Sequence, residues 1–264
     1  GPVQREQMAY WTSKLANLPV MSLPGDRPRP PVHSFKGDHV SIDLPWALIN
    51  RLKQLSVREG VTLYMLFLAG FFALIHRLTQ QRDIVIGTPI ANRHWLAIED
   101  LIGTFVNTLV LRADVSPETT FHDLLAKIRD LSLEAYAHQD MPFEKLVEEL
   151  RPDRSHGGLP LVQILFNFAN TPFARTEFVH LSWTPYEVSR GAAQLDLGLS
   201  IDPLASRKAY LEFNSDLFDR ATVERWLMHY RQFMEAIAQE PHRAIGRLPV
   251  LTSQQRRRML QEWN

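Results

Sequence analysis

The amino-acid sequence predicts an α/β fold in which helices pack on a mixed β-sheet. Apolar residues recur at spacings of three and four in some segments and alternate strictly in others. The two kinds of segment first alternate along the chain and then cluster, which is typical of a mixed sheet with packed helices. Hydrophobic residues make up 45% of the 264 residues, so there is enough apolar material for a proper core.

Charge and composition exclude several classes of protein. The 29 basic and 29 acidic side chains balance, and a neutral surface argues against nucleic acid as the main partner. The absence of cysteine excludes disulfides and thiolate zinc sites, and it fits a reducing, cytoplasmic compartment. The longest apolar run, 61–75, is short for the roughly 18 to 20 residues of a membrane span, so we expect a buried helix and no membrane partner.

The first third of the chain contains two predicted helices and one strand. Apolar residues on one face predict a helix over 4–18. The proline-rich stretch 19–31 is predicted to be irregular, because each proline removes a hydrogen-bond donor. Alternation then predicts a strand over 39–44, and Pro45 begins a helix that ends at Gly60.

The middle of the chain opens on its most apolar helix. Thr62 is placed to cap a helix over 63–78. The strand 83–87 that follows is apolar on consecutive residues and is therefore predicted to be buried on both faces. A loop is predicted for 88–93, and a further strand for 105–112.

Three more helices are predicted in the rest of the chain. The Thr120-x-x-Asp123 pattern predicts a helix start, and Pro142 begins a shorter helix through Leu150 that Asp140 is placed to cap. Asp219 is placed to cap the last helix, which ends before Pro241. The remaining strands are predicted at 161–168, 178–183, 195–201 and 209–213.

No segment forms a self-sufficient catalytic constellation. No two of the ten histidines are adjacent, and the serine nucleophile elbow, the phosphate loop and the dinucleotide fingerprint are absent. Asn107 differs from its neighbours, since it shares a strand face with Leu109 and Leu111, and a buried amide without a partner costs about 1–3 kcal/mol. It therefore either bonds to a neighbouring loop backbone or lines a wet cavity, and the pattern favours neither.

Several motifs, in order along the chain, resemble the condensation domain of nonribosomal peptide synthetases. The segment 84–93 (Ile-Val-Ile-Gly-Thr-Pro-Ile-Ala-Asn-Arg) matches one family block. The segment 102–112 is close to the family's Ile-Gly-x-Phe-Val-Asn-Thr motif, and 138–144 matches His-Gln-Asp-x-Pro-Phe-Glu. The segment 159–163 departs from Asn-Pro-Leu-Phe-Gln at two positions, and 195–197 reads Leu-Asp-Leu where the family has Phe-Asp-Leu.

The resemblance implies one chloramphenicol-acetyltransferase-like lobe. Residues 1–247 look like the C-terminal, acceptor-side lobe of a condensation domain, and 248–264 look like a linker toward an adenylation domain. The family's catalytic His-His-x-x-x-Asp-Gly motif does not occur in this chain. We therefore expect no condensation activity from the chain alone, and its status as an enzyme is left open.

In a full domain, the resemblance implies amide-bond formation between two carrier-protein-bound thioesters. The implied partners are the N-terminal lobe, peptidyl carrier proteins and an adenylation domain. Phosphopantetheine is implied only as a group carried by those carrier proteins, with no cofactor or metal bound directly. The resemblance assigns no catalytic residue to this chain and directs five residues to the substrate tunnel between the lobes: Thr88, Asn107, Thr108, His138 and Gln139.

This placement favours the cavity-lining alternative for Asn107, so we expect Asn107 to matter more for activity than for folding. The resemblance also implies a tunnel floor within 88–104 and a latch toward the other lobe within about 170–195. Other functions stay open: an active transferase with His138 as base, half of an epimerization domain, or a non-catalytic carrier-protein interaction module. The Pro-Phe-Glu segment and 161–163 favour condensation over epimerization.

Overall fold

The computed structural model describes residues 1–93, 101–151, 160–169, 188, 190–249 and 257. Helices and strands alternate within these ranges, and a short 3-10 turn (Ile245–Arg247) follows the last helix. The elements are α1 (Pro2–Lys14), β1 (Gly37–Asp43), α2 (Trp46–Arg58), α3 (Leu63–Thr79), β2 (Asp83–Ile90), β3 (Asn107–Asp114), α4 (Phe121–Ala137), α5 (Phe143–Leu150), β4 (Ile164–Phe168), β5 (Leu197–Asp202), β6 (Lys208–Asn214) and α6 (Arg220–Gln239).

The described strands form one sheet in the order β1-β6-β5-β4-β2-β3. The central pairs β5–β4 and β4–β2 are parallel, whereas the outer pairs β1–β6, β6–β5 and β2–β3 are antiparallel. A parallel pair needs a crossover connection, and α4 and α5 lie in the connection between β2 and β4. The predicted α/β class with a mixed sheet and packed helices is confirmed.

Helix α3 lies at the centre of the core, as its sequence predicts. Phe67, Phe71 and Phe72 are fully buried, and α4 and α6 both pack against α3. Gly70 allows this close packing, because a Cβ there would collide with the Met234 side chain of α6. Among the described residues, no single helix has the length and apolarity of a membrane span; only α2 and α3 taken together would reach it, across a bend of 104°.

Some element boundaries differ from prediction for physical reasons. Strand β2 extends to Ile90, so the predicted loop begins three residues too early. The last residues of β2 pair with the start of β3, whereas β4 pairs with β2 at Gly87. The end of β2 therefore has a strand neighbour on one side, and such an edge tolerates Pro89. Strand β3 begins at Asn107 instead of 105, and α1 ends at Lys14 instead of 18. The strand predicted at 178–183 lies outside the described residues.

Of four helix caps predicted from the sequence, two make the expected hydrogen bonds and two do not. Thr62 accepts a hydrogen bond from the Met65 amide, and Thr120 accepts one from the Asp123 amide. Asp219 occupies the N-cap position of α6 without a capping hydrogen bond from its side chain. The Asp140 cap is wrong, because α5 begins after Pro142 and a side chain from β3 bonds its first amide.

Candidate functional site

A cleft of about 600 Å³ opens where the parallel strands β2 and β4 end. Ligands of α/β proteins commonly bind beyond the carboxyl ends of such strands, and this volume is in the usual range for small-molecule sites. The start of α3, the end of β2, the last turn of α4 and the end of β4 supply the walls. The described lining residues are Thr62, Leu63, Tyr64, Thr88, Pro89, Ile90, Ala91, Val106, Tyr136, Asn167 and Phe168.

Thr88 is the sequence-predicted tunnel residue that lines this cleft. Its side chain is buried on β2, and its Oγ1 accepts a hydrogen bond of 3.1 Å from the Tyr64 hydroxyl. Because Thr62 caps α3, the helix begins at Leu63 and carries Tyr64 in its first turn. The Tyr64 ring centroid lies 6.5 Å from that of Tyr136 and 6.1 Å from that of Phe168.

The two cleft tyrosines are neutral hydrogen-bonding groups. Burial raises the pKa of Tyr64 far above its ordinary value of 10.0, and the neighbouring Tyr136 raises it further. Burial also raises the pKa of Tyr136. Both phenols therefore stay protonated at neutral pH. The described lining of the cleft contains no charged side chain, so the site offers hydroxyl and amide groups among apolar walls.

Asn107 forms a structural junction beside the cleft. Its Nδ2 donates to the carbonyls of Gln139 and Met141, at 3.0 and 2.8 Å. Its Oδ1 accepts from the amides of Thr108 and Phe143, both at 2.9 Å, and the second bond satisfies the first amide of α5. The expectation that water or substrate satisfies this amide is wrong, because four backbone groups already do so.

His138 is held by α1 and by its own helix. Its ring stacks on Tyr10 with a centroid distance of 3.7 Å and an interplanar angle of 7°. Its Nδ1 lies 2.9 Å from the Glu134 carbonyl, which can only accept, so Nδ1 carries the proton. Its own carbonyl accepts from Trp11 Nε1 at 2.9 Å. These contacts explain His138 as the residue that docks α1 onto the end of α4.

The five predicted tunnel residues therefore separate into two groups. Strand alternation puts Thr88 and Asn107 on one face of the sheet and Thr108 on the other, since Thr108 pairs with Pro89. Thr88 lines the cleft, Thr108 and Gln139 bond to Asn107 through their backbones, and His138 packs against α1. Their place in the tunnel of a full domain stays a prediction.

Three residues of the cleft, Tyr64, Tyr136 and Asn167, were not predicted from the sequence as site residues. Tyr64 stands within an apolar helix, although a hydroxyl two residues after a helix cap is a polar signal in that run. Tyr136 comes into contact with Tyr64 only through the packing of α4 on α3. Among the described residues, no group of three or more histidine and carboxylate side chains is arranged to hold a metal ion.

One known family and several known proteins are similar in sequence to this chain. The family described as "Condensation domain" matches residues 3–260. One of the linear gramicidin synthase subunits of Brevibacillus parabrevis is 43% identical over 268 residues, which cover 100% of this chain and 4% of that protein. The dimodular nonribosomal peptide synthase of Bacillus subtilis (strain 168) is 38% identical over 265 residues, which cover 97% of this chain and 11% of that protein. The chain thus spans a small fraction of these relatives.

Solved structures show the same fold. A holo four-domain nonribosomal peptide synthetase bound to AMP and glycine superposes with a TM-score of 0.86 at 25% identity, over 94% of this chain and 20% of that one. The X-domain from teicoplanin biosynthesis gives 0.82 at 27% identity, over 94% and 57%. The condensation domain of the Monacolin K polyketide synthase MokA gives 0.81 at 23% identity, over 92% and 59%, and shows the fold alone. With its mixed sheet, its packed helices and a family match over nearly its whole length, this chain belongs to the condensation domain family of nonribosomal peptide synthetases.

Proposed function

We propose that this chain is the C-terminal, acceptor-side lobe of a condensation domain and that it supports amide-bond formation without catalysing it alone. Residues 1–247 form the lobe in this proposal, and 248–264 lead toward an adenylation domain. The proposal rests on where the histidines lie in the sequence and in the structure. No two histidines are adjacent in the sequence, so the chain has no His-His-x-x-x-Asp-Gly motif, and the motif histidine that it does have, His138, packs against α1.

The reaction joins two acyl groups that arrive on separate carrier proteins in the cytoplasm. The amine of the acceptor aminoacyl thioester attacks the carbonyl of the donor thioester, the carbon–sulfur bond breaks, and the proton lost by the amine ends on the released thiol. Phosphopantetheine arms on the carrier proteins bring both thioesters, and this chain binds no cofactor of its own. The contribution of the lobe is orientation of the acceptor, which raises the effective concentration of the reacting groups.

The contacts of His138 argue against it as a hidden general base. A base must come within hydrogen-bonding reach of the proton that it removes. The stack on Tyr10 and the hydrogen bond from Nδ1 to the Glu134 carbonyl hold the ring against α1 and α4, and only Nε2 is left to accept a proton. His138 is also missing from the described lining of the cleft. The proton transfer is therefore assigned to the other lobe.

The test is peptide transfer between loaded carrier proteins. We expect the chain alone to give no product above the buffer rate, and we expect transfer when the N-terminal lobe of the same domain is added or fused. His138→Ala should change the rate of peptide transfer per folded molecule of the assembled domain by no more than about threefold. Removing a structural side chain slows a reaction far less than removing a catalytic base. Turnover by the chain alone that survives repurification and disappears in His138→Ala would overturn the proposal.

A second candidate is a non-catalytic interaction module. It is favoured by the 27% identity to the teicoplanin X-domain, which has also been solved in complex with OxyB. In that case the assembled two-lobe domain should bind a carrier protein or another partner but form no peptide. Inversion at the α-carbon of a carrier-bound residue, without peptide formation, would indicate the epimerization alternative.

A further inference from the structure

The described lining of the cleft at the ends of β2 and β4 combines neutral polar groups with apolar side chains. Its polar groups are the hydroxyls of Tyr64, Tyr136 and Thr88 and the amide of Asn167, and apolar side chains form the rest of the described wall. The Tyr64–Thr88 hydrogen bond fixes two of these hydroxyls relative to each other. The described wall of the cleft can hydrogen-bond a guest in a defined orientation, and it contains no counter-charge.

The absence of charge in the described lining has a definite energetic consequence. A charged side chain that enters the cleft loses water and finds no ionic partner in the described lining, and this desolvation outweighs what neutral hydroxyls return. An uncharged side chain of similar shape loses much less, and an amide or hydroxyl on it can bond to the tyrosine and threonine hydroxyls. The cleft therefore distinguishes two side chains of the same size by their charge.

We propose that this cleft selects acceptor aminoacyl groups with uncharged side chains, and that Tyr64 is a specificity-determining residue that hydrogen-bonds a neutral polar group. The identity of the guest as the acceptor rests on the proposed function, whereas selection by charge depends only on the cleft. Asn167 controls the rim, because its side chain is exposed while it borders the cleft next to Phe168. A charge placed at Asn167 changes the field at the entrance without removing a core contact.

Ligand-observed NMR on this chain tests the proposal with two matched pairs of aminoacyl-pantetheine analogues whose thioester is replaced by an amide. Glutaminyl and glutamyl analogues differ in charge at nearly constant shape, and norleucyl and lysyl analogues differ by a terminal ammonium. We expect the neutral member of each pair to bind about tenfold more tightly or better. Equal affinities within both pairs, or no binding of either neutral analogue, would overturn the proposal.

Two variants assign the effect to the named residues. Tyr64→Phe should weaken the glutaminyl analogue by about threefold to tenfold and leave the norleucyl analogue unchanged, since only the first can use the hydroxyl. Asn167→Asp should strengthen the lysyl analogue by about twofold to fivefold at low salt, and added salt should remove the gain. Tyr10→Phe, on α1, is the control and should change neither. No effect of Tyr64→Phe on the glutaminyl analogue contradicts the role of Tyr64.

The same pairs of side chains on N-acetyl amino acid methylamides, which have no pantetheine arm, distinguish this inference from the proposed function. If the methylamides show the same preference while the assembled two-lobe domain forms no peptide, the proposed function fails and charge selection stands. If the assembled domain forms peptide but accepts glutamyl and glutaminyl groups equally, the inference fails and the proposed function stands.

Discussion

At the residue scale, Asn107 joins two segments that are distant in the sequence, the start of β3 and the turn that leads into α5. Its amide bonds to the turn before α5, to the first amide of α5 and to its own strand neighbour Thr108. All of its hydrogen-bonding capacity is used on backbone groups, two donors on two carbonyls and one oxygen on two amides. The same residue therefore starts β3 and ends the connection from α4.

We predict that Asn107→Ala lowers the free energy of unfolding by at least about 2 kcal/mol, because it leaves buried backbone groups without partners. This reverses the expectation from the sequence that Asn107 matters mainly for activity. Urea denaturation of this chain measures the change. Thr108→Ala, which leaves the Asn107 hydrogen bonds in place, is the matched control. A loss below about 0.5 kcal/mol would return Asn107 to a role in the tunnel.

At the element scale, residues 20–29 of the proline-rich stretch contact both the sheet and α6. The Met21 amide donates to Gln163 Oε1 at 3.2 Å, which ties the segment to the start of β4. Arg29 forms a bidentate ion pair with Asp196, whose carboxylate is nearly buried beside β5. The family resemblance at the Leu-Asp-Leu motif thus has a structural reason, since its aspartate holds this segment in place.

Asp26 of the same segment acts at the N-terminus of α6. Its Oδ2 accepts from the Asp219 amide at 2.8 Å, and its Oδ1 accepts from the Thr222 hydroxyl at 2.9 Å. The positive end of the helix dipole favours this negative charge. The Asp219 amide is the main cause that lowers the pKa of Asp26 below its ordinary value of 3.8.

We predict that Asp26 makes the stability of α6 acid-sensitive. A carboxylate with a lowered pKa stabilises the folded state fully above its ordinary pKa, and this contribution is lost as pH falls through the lower, folded value. Melting temperatures of the wild-type chain should therefore fall more steeply below about pH 4 than those of Asp26→Asn. Asp43→Asn, at the exposed end of β1, is the control. Parallel curves for wild type and Asp26→Asn would contradict the prediction.

Local signals in the sequence were sufficient for the helices but not for the junctions between elements. The caps at Thr62 and Thr120 depend on residues three positions away, so the pattern contained the whole interaction. The end of β2 and the cap of α5 depend on β3 and Asn107, which are distant in sequence. The cleft depends in the same way on the packing of α4 on α3, so no local pattern indicates Tyr136, and Thr88 was named through the family resemblance alone.

At the scale of the whole molecule, the loop before β3 presents apolar side chains to solvent. Arg93 holds this loop by donating to the carbonyls of Leu101 and Gly103 and by stacking over the Phe105 ring at 4.3 Å. Ile102 is fully exposed, and Leu101 and Val106 are more than half exposed. Val106 also borders the cleft, so the exposed surface and the candidate site are continuous.

We predict that this surface makes the isolated chain self-associate or bind an apolar dye, because exposed apolar patches commonly mark interaction sites. Ile102→Asp should reduce both effects and leave the melting temperature within about 1 °C, since the side chain makes no core contact. Light scattering across a concentration series is the measurement. Val57→Asp, on the exposed side of α2, is the control. A monomeric wild-type chain without dye binding would contradict the prediction.

The strand order also governs what happens while the chain emerges from the ribosome. Strand β1 pairs with β6, from Gly37↔Asn214 to Asp43↔Lys208. Because β1 is synthesised early and β6 late, β1 cannot form this pair until most of the chain has been made. The β2–β3 pair can form long before, whereas the nascent edge of β1, with Val40 and Ile42, has no partner during most of synthesis. Non-local pairing of this kind slows folding and leaves edges open to aggregation. We therefore expect polypeptides that end before residue 208 to expose the edge of β1 and to be degraded more readily than the full chain.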